Sequence, residues 1–311
     1  MIVLEGHPFE WEVAGPTAVT IGVFDGVHVG HQRVIGDLVT HARAAGLVPT
    51  VLTFDPHPLA VLSPDKAPLM LTTVAQRIDQ FRRLAVEVVG ILTFADIRDL
   101  TADEFAHRVL GDALAARRVV VGADFRFGRE RTGDATSLSR TGAERGFEVA
   151  VVDMFGHLDG VVSSTRIRHL VQSGNVDQVA TLLARPYELR GIVARGDGRG
   201  RTIGVPTANL EVGSQIAIPA NGVYAVWGAT DGGEWPAVVN IGVRPTFGQT
   251  VRVVEAHLLD FNGDIYGQEL AVAFITRLRD EQRFASVDDL VSQIEDDIAV
   301  ARSILGGSIR P

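Results

Sequence analysis

The feature that most constrains this sequence is a change of hydrophobic pattern near Pro186. Before it, apolar runs of strand length alternate with longer helical patterns, and after it short β-rich segments are broken by Gly and Pro. Strands separated by helices indicate βαβ units and a parallel sheet. Several short strands in succession indicate a small antiparallel barrel. The pattern therefore predicts two domains, residues 1–185 and residues 186–311.

Hydrophobic periodicity gives the elements of each predicted domain. In the first domain the predicted strands are 18–24, 48–54, 88–93, 118–121 and 147–152, and the predicted helices are 30–45, 73–84, 101–110 and 137–145. In the second domain the predicted strands are 187–194, 223–227, 237–241, 251–259 and 270–278, followed by a helix over 287–304. The prediction is a doubly wound α/β domain, with a ligand crevice at the carboxyl ends of its strands, and then an antiparallel β-barrel with a closing helix.

Composition and charge exclude several classes of function. The net charge of −9, from 29 Lys and Arg against 38 Asp and Glu, disfavours extended binding to nucleic acid or to an anionic membrane. The chain has no cysteine, which excludes Cys-ligated zinc, iron–sulfur clusters and thiol nucleophiles. The sequence shows neither a signal-peptide pattern nor a membrane-span pattern. We therefore expect a cytoplasmic protein with no nucleic-acid or membrane partner and at most weak or transient self-association.

A glycine-rich turn, TIGVFDGVHVGH over residues 20–31, follows the first of these predicted strands. Glycines such as Gly22 and Gly30 allow a tight turn and close approach of a ligand, while the helix start offers unpaired N–H groups. His28 and His31 add imidazoles that donate hydrogen bonds to phosphate oxygens, more strongly if protonated. Taken singly, these histidines are better explained as helix caps. The H-x-G-H spacing at a strand-to-helix turn favours an anion site.

A second helix start, VSSTRIR over residues 162–168, follows the last strand predicted in the first domain. Ser164 or Thr165 can serve as its N-cap, and Arg168 adds positive charge beside the N–H groups of the helix start. Taken alone, the segment fits an ordinary capped helix with a solvated arginine equally well. The two helix starts together favour a phosphate site.

The two motifs together resemble the nucleotidyltransferase superfamily, in which an H-x-G-H turn and a later Ser/Thr-x-x-Arg helix start bind the phosphates of ATP. Four segments, 24–31, 53–58, 121–128 and 163–168, are similar to the FMN adenylyltransferase module of bacterial bifunctional riboflavin kinase/FAD synthetases. The resemblance spans essentially the whole N-terminal half and implies a Rossmann-like nucleotidyltransferase domain.

This resemblance also implies roles for individual residues. The residues expected to hold the ATP triphosphate are His28, His31, Ser164, Thr165 and Arg168, with the two histidines as catalytic residues. The other residues expected to contact nucleotide or flavin are Gly22, Phe24, Gly30, Asp124, Phe125 and Phe127. Asp124 occupies a position filled by Asn in some relatives, and Ala184 stands where Gly is usual at the domain junction. Neither departure removes a group that the chemistry requires.

The second domain opens with another glycine-rich segment, RGDGRGRTIGVPTAN over residues 195–209. Its glycines allow backbone N–H groups to fold over phosphates, although a plain glycine-rich hairpin fits the spacing equally well. The residues expected at the phosphates are Gly196, Gly198, Arg199, Gly200, Arg201 and Gly204. Thr207 and Asn209 lie two apart on an extended segment, so their side chains point to one side and offer hard oxygen ligands suited to Mg²⁺.

Glu255 and His257 alternate with apolar residues on a predicted strand, which places both on one strand face. A carboxylate in a barrel mouth is a candidate base, whereas a solvated strand face also explains a lone glutamate. The order of the segments 206–209, 240–247, 255–261 and 264–267 is similar to that in riboflavin kinases. The resemblance covers nearly all of residues 187–305.

The kinase resemblance implies that Thr207 and Asn209 bind Mg²⁺ and the ATP phosphates. It further implies that Glu255 deprotonates the ribityl 5′-hydroxyl of riboflavin, and that Arg279 lies near the flavin or the glycine loop. The two resemblances together predict a bifunctional transferase that uses ATP to phosphorylate riboflavin to FMN. The same enzyme then adenylylates FMN to FAD and releases pyrophosphate, with flavin as substrate and product.

Two alternatives stay open at this point. One is a transferase that acts on another phosphorylated acceptor, such as a cytidylyltransferase-like enzyme, and the attached kinase-like barrel argues against it. The other is a flavin-binding regulatory or storage protein with relic motifs. Binding alone does not need His28, Arg168, Thr207, Asn209 and Glu255 all to be present, which argues against a relic.

Overall fold

The chain forms two compact units in the computed structural model, which describes residues 1–152, 156–157, 160–195, 204–246 and 249–307. Contacts assign Met1–Pro68 and Thr72–Ser163 to the first unit. The second unit comprises Ser164–Pro311 together with the short segment Leu69–Leu71. In the second unit, Met70 of this segment forms a parallel bridge with Ile216.

The first unit is built on a six-stranded parallel sheet with strand order β1-β4-β3-β2-β5-β8. The strands of the unit are β1 (Ile2–Leu4), β2 (Thr17–Ile21), β3 (Val48–Phe54), β4 (Val88–Leu92), β5 (Ala116–Gly122), β6 (Arg126–Phe127), β7 (Gly133–Asp134), β8 (Glu148–Val152), β9 (Gly156–His157) and β10 (Gly160–Val161). Every residue of β2 is buried, as expected for a central strand covered on both faces.

Helices cover this sheet on both faces. They are α1 (Val29–Ala45), α2 (Pro58–Leu62), α3 (Val74–Arg83), α4 (Phe94–Ile97), α5 (Ala102–Glu104) and α6 (Ala135–Arg145), with a π-helix over Phe105–Ala113. Val19 and Ile21 of β2 pack on one face with Phe105 of the π-helix. Ala18 packs on the opposite face with Leu38 of α1. The predicted doubly wound α/β fold is confirmed.

The helix ends carry the capping residues that local chemistry requires. Thr73 begins α3 with a capping box, in which its side chain accepts from the N–H of Gln76 and the Gln76 side chain accepts from the N–H of Thr73. Gly46 ends α1 and Gly146 ends α6, both in the left-handed region with φ of 65° and 78°. These capping residues explain why the predicted helix bounds agree closely with the observed ones.

The second unit is a closed antiparallel barrel with strand order β11-β12-β15-β14-β13-β16. Its strands are β11 (Tyr187–Ala194), β12 (Ala208–Glu211), β13 (Gly222–Thr230), β14 (Gly233–Thr246), β15 (Gln249–Leu258) and β16 (Glu269–Arg279), and its helices are α7 (Ser164–Gln172), α8 (Val176–Leu183) and α9 (Val287–Gly306). The predicted barrel and its closing helix, α9, are confirmed. In the described part of the chain, no helix combines the length and hydrophobicity needed to cross a bilayer.

Side chains of the barrel alternate between its interior and the helix on its outside. Tyr224 and Phe274 are fully buried and meet edge to face, with ring centroids 5.3 Å apart. Val223 and Trp227, on the other face of β13, pack with Ala301 of α9. The face of β13 that carries Val223 is therefore the outer face, covered by α9.

A buried ion pair fastens α9 to this outer face. Arg279 of β16 donates from Nε to both carboxylate oxygens of Asp297 at 3.0 Å, and from Nη2 to Oδ2 at 2.8 Å. Gln293 adds a hydrogen bond to Asp297 Oδ1 at 3.1 Å. The two charged side chains are only 16% and 7% exposed, so each depends on its partner for compensation.

We expect Asp297→Ala to destabilise the barrel by about 3–5 kcal/mol, because it leaves the Arg279 guanidinium buried without its partner. Asp260→Ala provides a matched control, since it removes an exposed aspartate that pairs with Arg302 on the same helix. Urea unfolding followed by tryptophan fluorescence checks this. Equal unfolding midpoints for the two variants would contradict the assignment of a buried anchor.

Candidate active sites

The predicted anion site lies at the carboxyl end of β2, which is an interior strand of the parallel sheet. Residues 22–28 turn sharply between β2 and α1, with Phe24, Gly26 and Val27 all in the left-handed region at φ of 52°, 79° and 41°. A positive φ strains a β-branched residue such as Val27, so the surrounding contacts must hold it in place. At Gly22 an added Cβ would lie 3.1 Å from the Phe24 ring, which explains the glycine.

Buried polar side chains fix this turn from within the same unit. Asp25 Oδ1 accepts from the backbone N–H of Thr72 at 3.1 Å and from its hydroxyl at 3.3 Å. The Thr72 hydroxyl in turn accepts from the N–H of Gly26 at 3.0 Å. Asp25 and Thr72 are both buried, so these bonds are shielded from water.

Arg77 of α3 connects the turn to the neighbouring strand. Its guanidinium donates to Val23 O at 2.7 Å, to Thr53 Oγ1 at 2.5 Å and to Phe54 O at 3.1 Å. The side chain is 2% exposed, and burial lowers the pKa of its guanidinium, an effect that Asp25 and Asp55 oppose. Arg77 was not among the predicted site residues. The available signal was a charged residue four positions before Phe81 on the buried face of an amphipathic helix.

His28 and His31 form a stacked pair at the start of α1. Their ring centroids are 3.5 Å apart with 19° between the planes, and His28 Nδ1 accepts from the backbone N–H of His31 at 3.3 Å. His28 therefore caps the helix, as the simpler interpretation held. Because Nδ1 is an acceptor, the neutral ring carries its proton on Nε2, where it is a hydrogen-bond donor.

His31 is uncharged near neutral pH. Burial, and secondly the charge of His28, lower the pKa of His31 well below its ordinary value. Its Nδ1 is buried and has no hydrogen-bond partner among the residues that the structure describes. The Phe24 ring packs edge-on against it, with centroids 5.1 Å apart. His31 therefore does not offer the stronger phosphate donation expected of a protonated histidine.

The other predicted residues of the first unit follow β5, which is a neighbour of β2 in the sheet. Asp124 is exposed, and an added Cβ at Gly122 would lie 3.0 Å from its Oδ1. Phe125 and Phe127 stack with centroids 5.3 Å apart. Phe127 is buried in the core, whereas Phe125 keeps partial exposure. Asp124 and Phe125 thus end at the same sheet edge as the histidine turn.

Ser164, Thr165 and Arg168 lie in the first turns of α7, which contacts assign to the second unit. Ser164 and Arg168 are half-buried and Thr165 is exposed. Because α7 begins at Ser164, the residue before the helix is Ser163, so Ser163 rather than Ser164 or Thr165 stands at the cap position. The predicted helix start itself is observed.

The barrel aligns two residues of the predicted kinase site with a third polar residue. Asn209 of β12 lies directly opposite Glu255 of β15, and Glu255 lies directly opposite Asn240 of β14. Opposed residues of an antiparallel ladder point to the same face of the sheet. Asn209, Glu255 and Asn240, which we call the polar row, therefore lie side by side across three strands. Asn240 was not predicted as a site residue.

The polar row lies on the outer face of the barrel. Val223 of β13 continues the row opposite Asn240 and packs in one cluster with Ala301 and Leu305 of α9. Residues of β15 alternate between buried and half-buried, with Val254 and Ala256 turned inward. Alternation in the sequence shows which residues share a face but not which face lines the barrel, and the place of Glu255 at the barrel mouth stays a prediction.

Thr207 immediately precedes β12 and is half-buried, like Asn209 and Glu255. Gly204 is exposed, with φ of 81°. The loop residues Gly196, Gly198, Arg199, Gly200 and Arg201 lie outside the described residues. His257 Nδ1 lies 2.7 Å from Pro206 O, at the start of the Thr207 segment.

Arg279 lies opposite Val223 on the neighbouring strand. Its guanidinium is engaged by Asp297 and by the Asp280 carbonyl, the latter at 3.0 Å. The structure thus places Arg279 as an anchor of α9 beside the polar row.

The polar row and Thr207 suit a magnesium-bound nucleotide better than a free ion. No group of three or more His, Cys, Asp or Glu side chains that could hold a metal occurs among the described residues. Mg²⁺ usually binds nucleotide sites through one or two protein oxygens, completing its shell with phosphate oxygens and water. The Thr207 hydroxyl and the Asn209 amide oxygen fit that requirement.

Two family models match this chain, one on each half. The FAD synthetase model matches residues 11–166, which include both histidines. The riboflavin kinase model matches residues 183–305, which include Thr207, Asn209 and Glu255.

Relatives match over nearly the whole chain. A bifunctional riboflavin kinase/FMN adenylyltransferase from Pseudomonas fluorescens is 39% identical, covering 93% of both chains. The Escherichia coli K12 enzyme of the same name is 38% identical, covering 93% of this chain and 92% of its own. A crystal structure described as a macrolide-efflux protein from Streptococcus pneumoniae has a TM-score of 0.88 and 34% identity, covering 97% of this chain and 99% of its own. The efflux description belongs to that protein, whereas both family models concern flavin nucleotides. The chain belongs to the family of bifunctional riboflavin kinase/FMN adenylyltransferases.

Proposed function

We propose that residues 186–311 phosphorylate riboflavin to FMN and that residues 1–185 adenylylate FMN to FAD, with one ATP used in each step. The observation that carries this proposal is the presence in one chain of two separate arrangements of polar residues, each suited to binding phosphate. One is the histidine turn at the end of β2, and the other is the polar row beside Thr207 on the barrel.

In the kinase step, Glu255 accepts the proton of the ribityl 5′-hydroxyl while that oxygen attacks the γ-phosphorus of ATP and ADP leaves. Its position opposite Asn209 supports this role, because the base then lies beside a residue assigned to the nucleotide phosphates. In a loose phosphoryl-transfer transition state the alcohol proton departs late, so orientation of the hydroxyl is a large part of the task.

Thr207 and Asn209 are proposed to hold Mg²⁺ together with the ATP phosphates. When bound, the ion neutralises charge on the phosphoryl group being transferred. Asn240, on the far side of Glu255 in the polar row, lies where its amide can orient the Glu255 carboxylate. The glycines and arginines of residues 196–204 stay assigned to the ATP phosphates on the sequence alone.

In the adenylyl transfer, an oxygen of the FMN phosphate attacks the α-phosphorus of ATP and pyrophosphate leaves, with no covalent enzyme intermediate. Both reactants are anionic, so the protein must align them and stabilise the departing charge. His28 and His31 are proposed to do this as hydrogen-bond donors, with His31 in its neutral form because burial disfavours charge on it. The fixed positive charge then comes from Arg168, with the Ser164 and Thr165 hydroxyls as further donors.

Other parts of the proposal rest on the sequence. Small-molecule substrates fit the family, whereas weak or transient self-association, a cytoplasmic location and independence from nucleic acid and membranes stay predictions. Phe24, Asp124, Phe125 and Phe127 stay assigned to the nucleotide or flavin on the motif resemblance. Because Phe127 is buried in the core, its proposed role is to support the stacked ring of Phe125.

The direct test incubates purified protein with riboflavin, ATP and Mg²⁺ and resolves the flavins by chromatography. FMN is expected first and FAD afterwards. Flavin that stays bound but chemically unchanged would instead support the binding-protein alternative. A product formed with CTP in preference to ATP would support the cytidylyltransferase-like alternative.

We expect His28→Ala and His31→Ala each to lower FAD formation from FMN by a factor of about 10², the scale of losing one preorganised donor. His41→Ala is the matched control, because His41 is exposed on the same helix. Steady-state rates with added FMN check the prediction. Unchanged FAD formation in both active-site variants would remove these histidines from the reaction.

Glu255→Ala and the isosteric Glu255→Gln should lower FMN formation by a factor of about 10² to 10⁴, as expected for loss of a general base. FAD formation from added FMN should persist, since Glu255 is not among the residues assigned to that step. Glu269→Gln, an exposed carboxylate on β16, serves as the control. Loss of both activities would indicate global damage, and normal FMN formation would exclude Glu255 as the base.

The lowered pKa of His31 predicts a pH-dependent stability. Below about pH 6.5, His31 binds a proton in the unfolded chain but stays neutral in the folded chain. The free energy of unfolding therefore falls as pH falls, by up to about 1.4 kcal/mol per pH unit. His31→Gln removes this contribution. Urea unfolding between about pH 7.5 and 5 should therefore show a steeper loss for the unmodified chain than for the variant. Parallel curves would contradict a neutral, buried His31.

A further inference from the structure

We propose that His257 is a positioning residue for the kinase step, because its side chain holds the Pro206 carbonyl and thereby places Thr207 relative to Asn209 and Glu255. This inference rests on the proposed function, which assigns Thr207 and Asn209 to the magnesium-bound nucleotide. It adds a residue whose role is to arrange the site and not to touch the substrate.

The contact itself is short and joins distant parts of the chain. His257 Nδ1 lies 2.7 Å from Pro206 O, across 51 residues of sequence. A carbonyl oxygen only accepts hydrogen bonds, so Nδ1 must carry the proton and donate it. His257 lies two residues after Glu255 on β15 and therefore on the same outer face of the barrel.

The strand ladder explains why this side chain is needed. The β12–β15 pairing consists of Ala208 opposite Ala256 and Asn209 opposite Glu255. Continued by one residue, that register would bring Thr207 opposite His257, but β12 begins at Ala208. Pro206 has no N–H and contributes no donor to a ladder. The His257 imidazole thus joins the Pro206 segment to β15 by a hydrogen bond, just beyond the end of the strand ladder.

The peptide geometry links the hydrogen bond at Pro206 to the Thr207 hydroxyl, which is the proposed magnesium ligand. The Pro206 carbonyl lies in the same rigid plane as the Thr207 nitrogen and Cα, so a hydrogen bond to that oxygen restricts where the Thr207 hydroxyl can point. In a phosphoryl-transfer site, a misplacement of about 1 Å can lower the rate by about 10²-fold. A single hydrogen bond at this carbonyl is therefore sufficient to affect catalysis.

An exposed ion pair lies near His257, just beyond the end of β15. Asp260 accepts two hydrogen bonds of 2.7 Å from Arg302 of α9. These bonds, with a smaller contribution from the charge of His257, lower the pKa of the Asp260 carboxyl. His257 therefore lies close enough to Asp260 to interact with its charge.

The test uses two amides that differ in where their N–H lies. In His257→Asn the amide nitrogen takes the place of Nδ1, whereas in His257→Gln it takes the place of Nε2. We expect His257→Gln to raise the KM for ATP in FMN formation by about tenfold at saturating Mg²⁺, with a smaller change in kcat, and His257→Asn to stay within about threefold of the unmodified chain. Urea unfolding followed by tryptophan fluorescence reports whether the barrel of each variant is folded, and FAD formation from added FMN reports whether the other activity is intact.

Three results would overturn the proposal. The first is a KM unchanged in both variants, and the second is equal impairment in both, which would mean that the Nδ1 donor is not what matters. The third is loss of folding in both variants, which would give His257 a purely structural role. An unmodified chain that forms no FMN, or a fully active Glu255→Gln variant, would instead contradict the proposed kinase function.

Discussion

The first site depends on one buried cation. Removing a guanidinium from water is costly unless oxygen acceptors replace its hydration, and Arg77 finds three at the ends of β2 and β3. Because two of these acceptors are main-chain carbonyls, the cation fixes the backbone and not merely a side chain. The Val23 carbonyl lies just before the strained left-handed residues of the turn that carries His28. Its hydrogen bond from Arg77 therefore helps to hold those residues in place.

The two sites are built on different properties of a β-sheet. In the first unit, parallel strands end at one edge, and the loops that follow β2 and β5 meet there. In the barrel, the antiparallel register places Asn209, Glu255 and Asn240 in one row, so the proposed functional groups lie on the strands themselves. The site in the first unit is built on a loop, which tolerates backbone strain at Val27. The proposed site in the barrel is built on strands, and beyond the end of the strand ladder it needs side-chain hydrogen bonds such as the one between His257 and Pro206.

Periodicity and local chemistry were sufficient to predict most of the fold from the sequence. The alternating pattern predicted the parallel sheet and the barrel, and the predicted strands 48–54 and 187–194 agree with β3 and β11 in both bounds. These signals are local, because a buried strand must be apolar wherever it lies in the fold. Short elements such as β1 and α8 were missed, since three to eight residues carry too little periodicity.

The site was less accessible to sequence reasoning where it depended on long-range contacts. The protonation state of His31 follows from burial, which no spacing reveals. The partners of Arg279 and His257 lie 18 and 51 residues away, so Asp297 and Pro206 were not recognised as contacts. The outer position of the polar row depends on where α9 packs. The residue types that the sequence assigned to each reaction stay predictions.

The central claim is that one chain transfers two different phosphorus atoms of ATP. Incubation with riboflavin and ATP labelled at either the γ- or the α-phosphorus tests it, with separation of FMN from FAD. The γ-label should appear in FMN and persist in FAD, whereas the α-label should appear only in FAD. Label from the α-phosphorus in FMN, or no label in either flavin, would contradict the account.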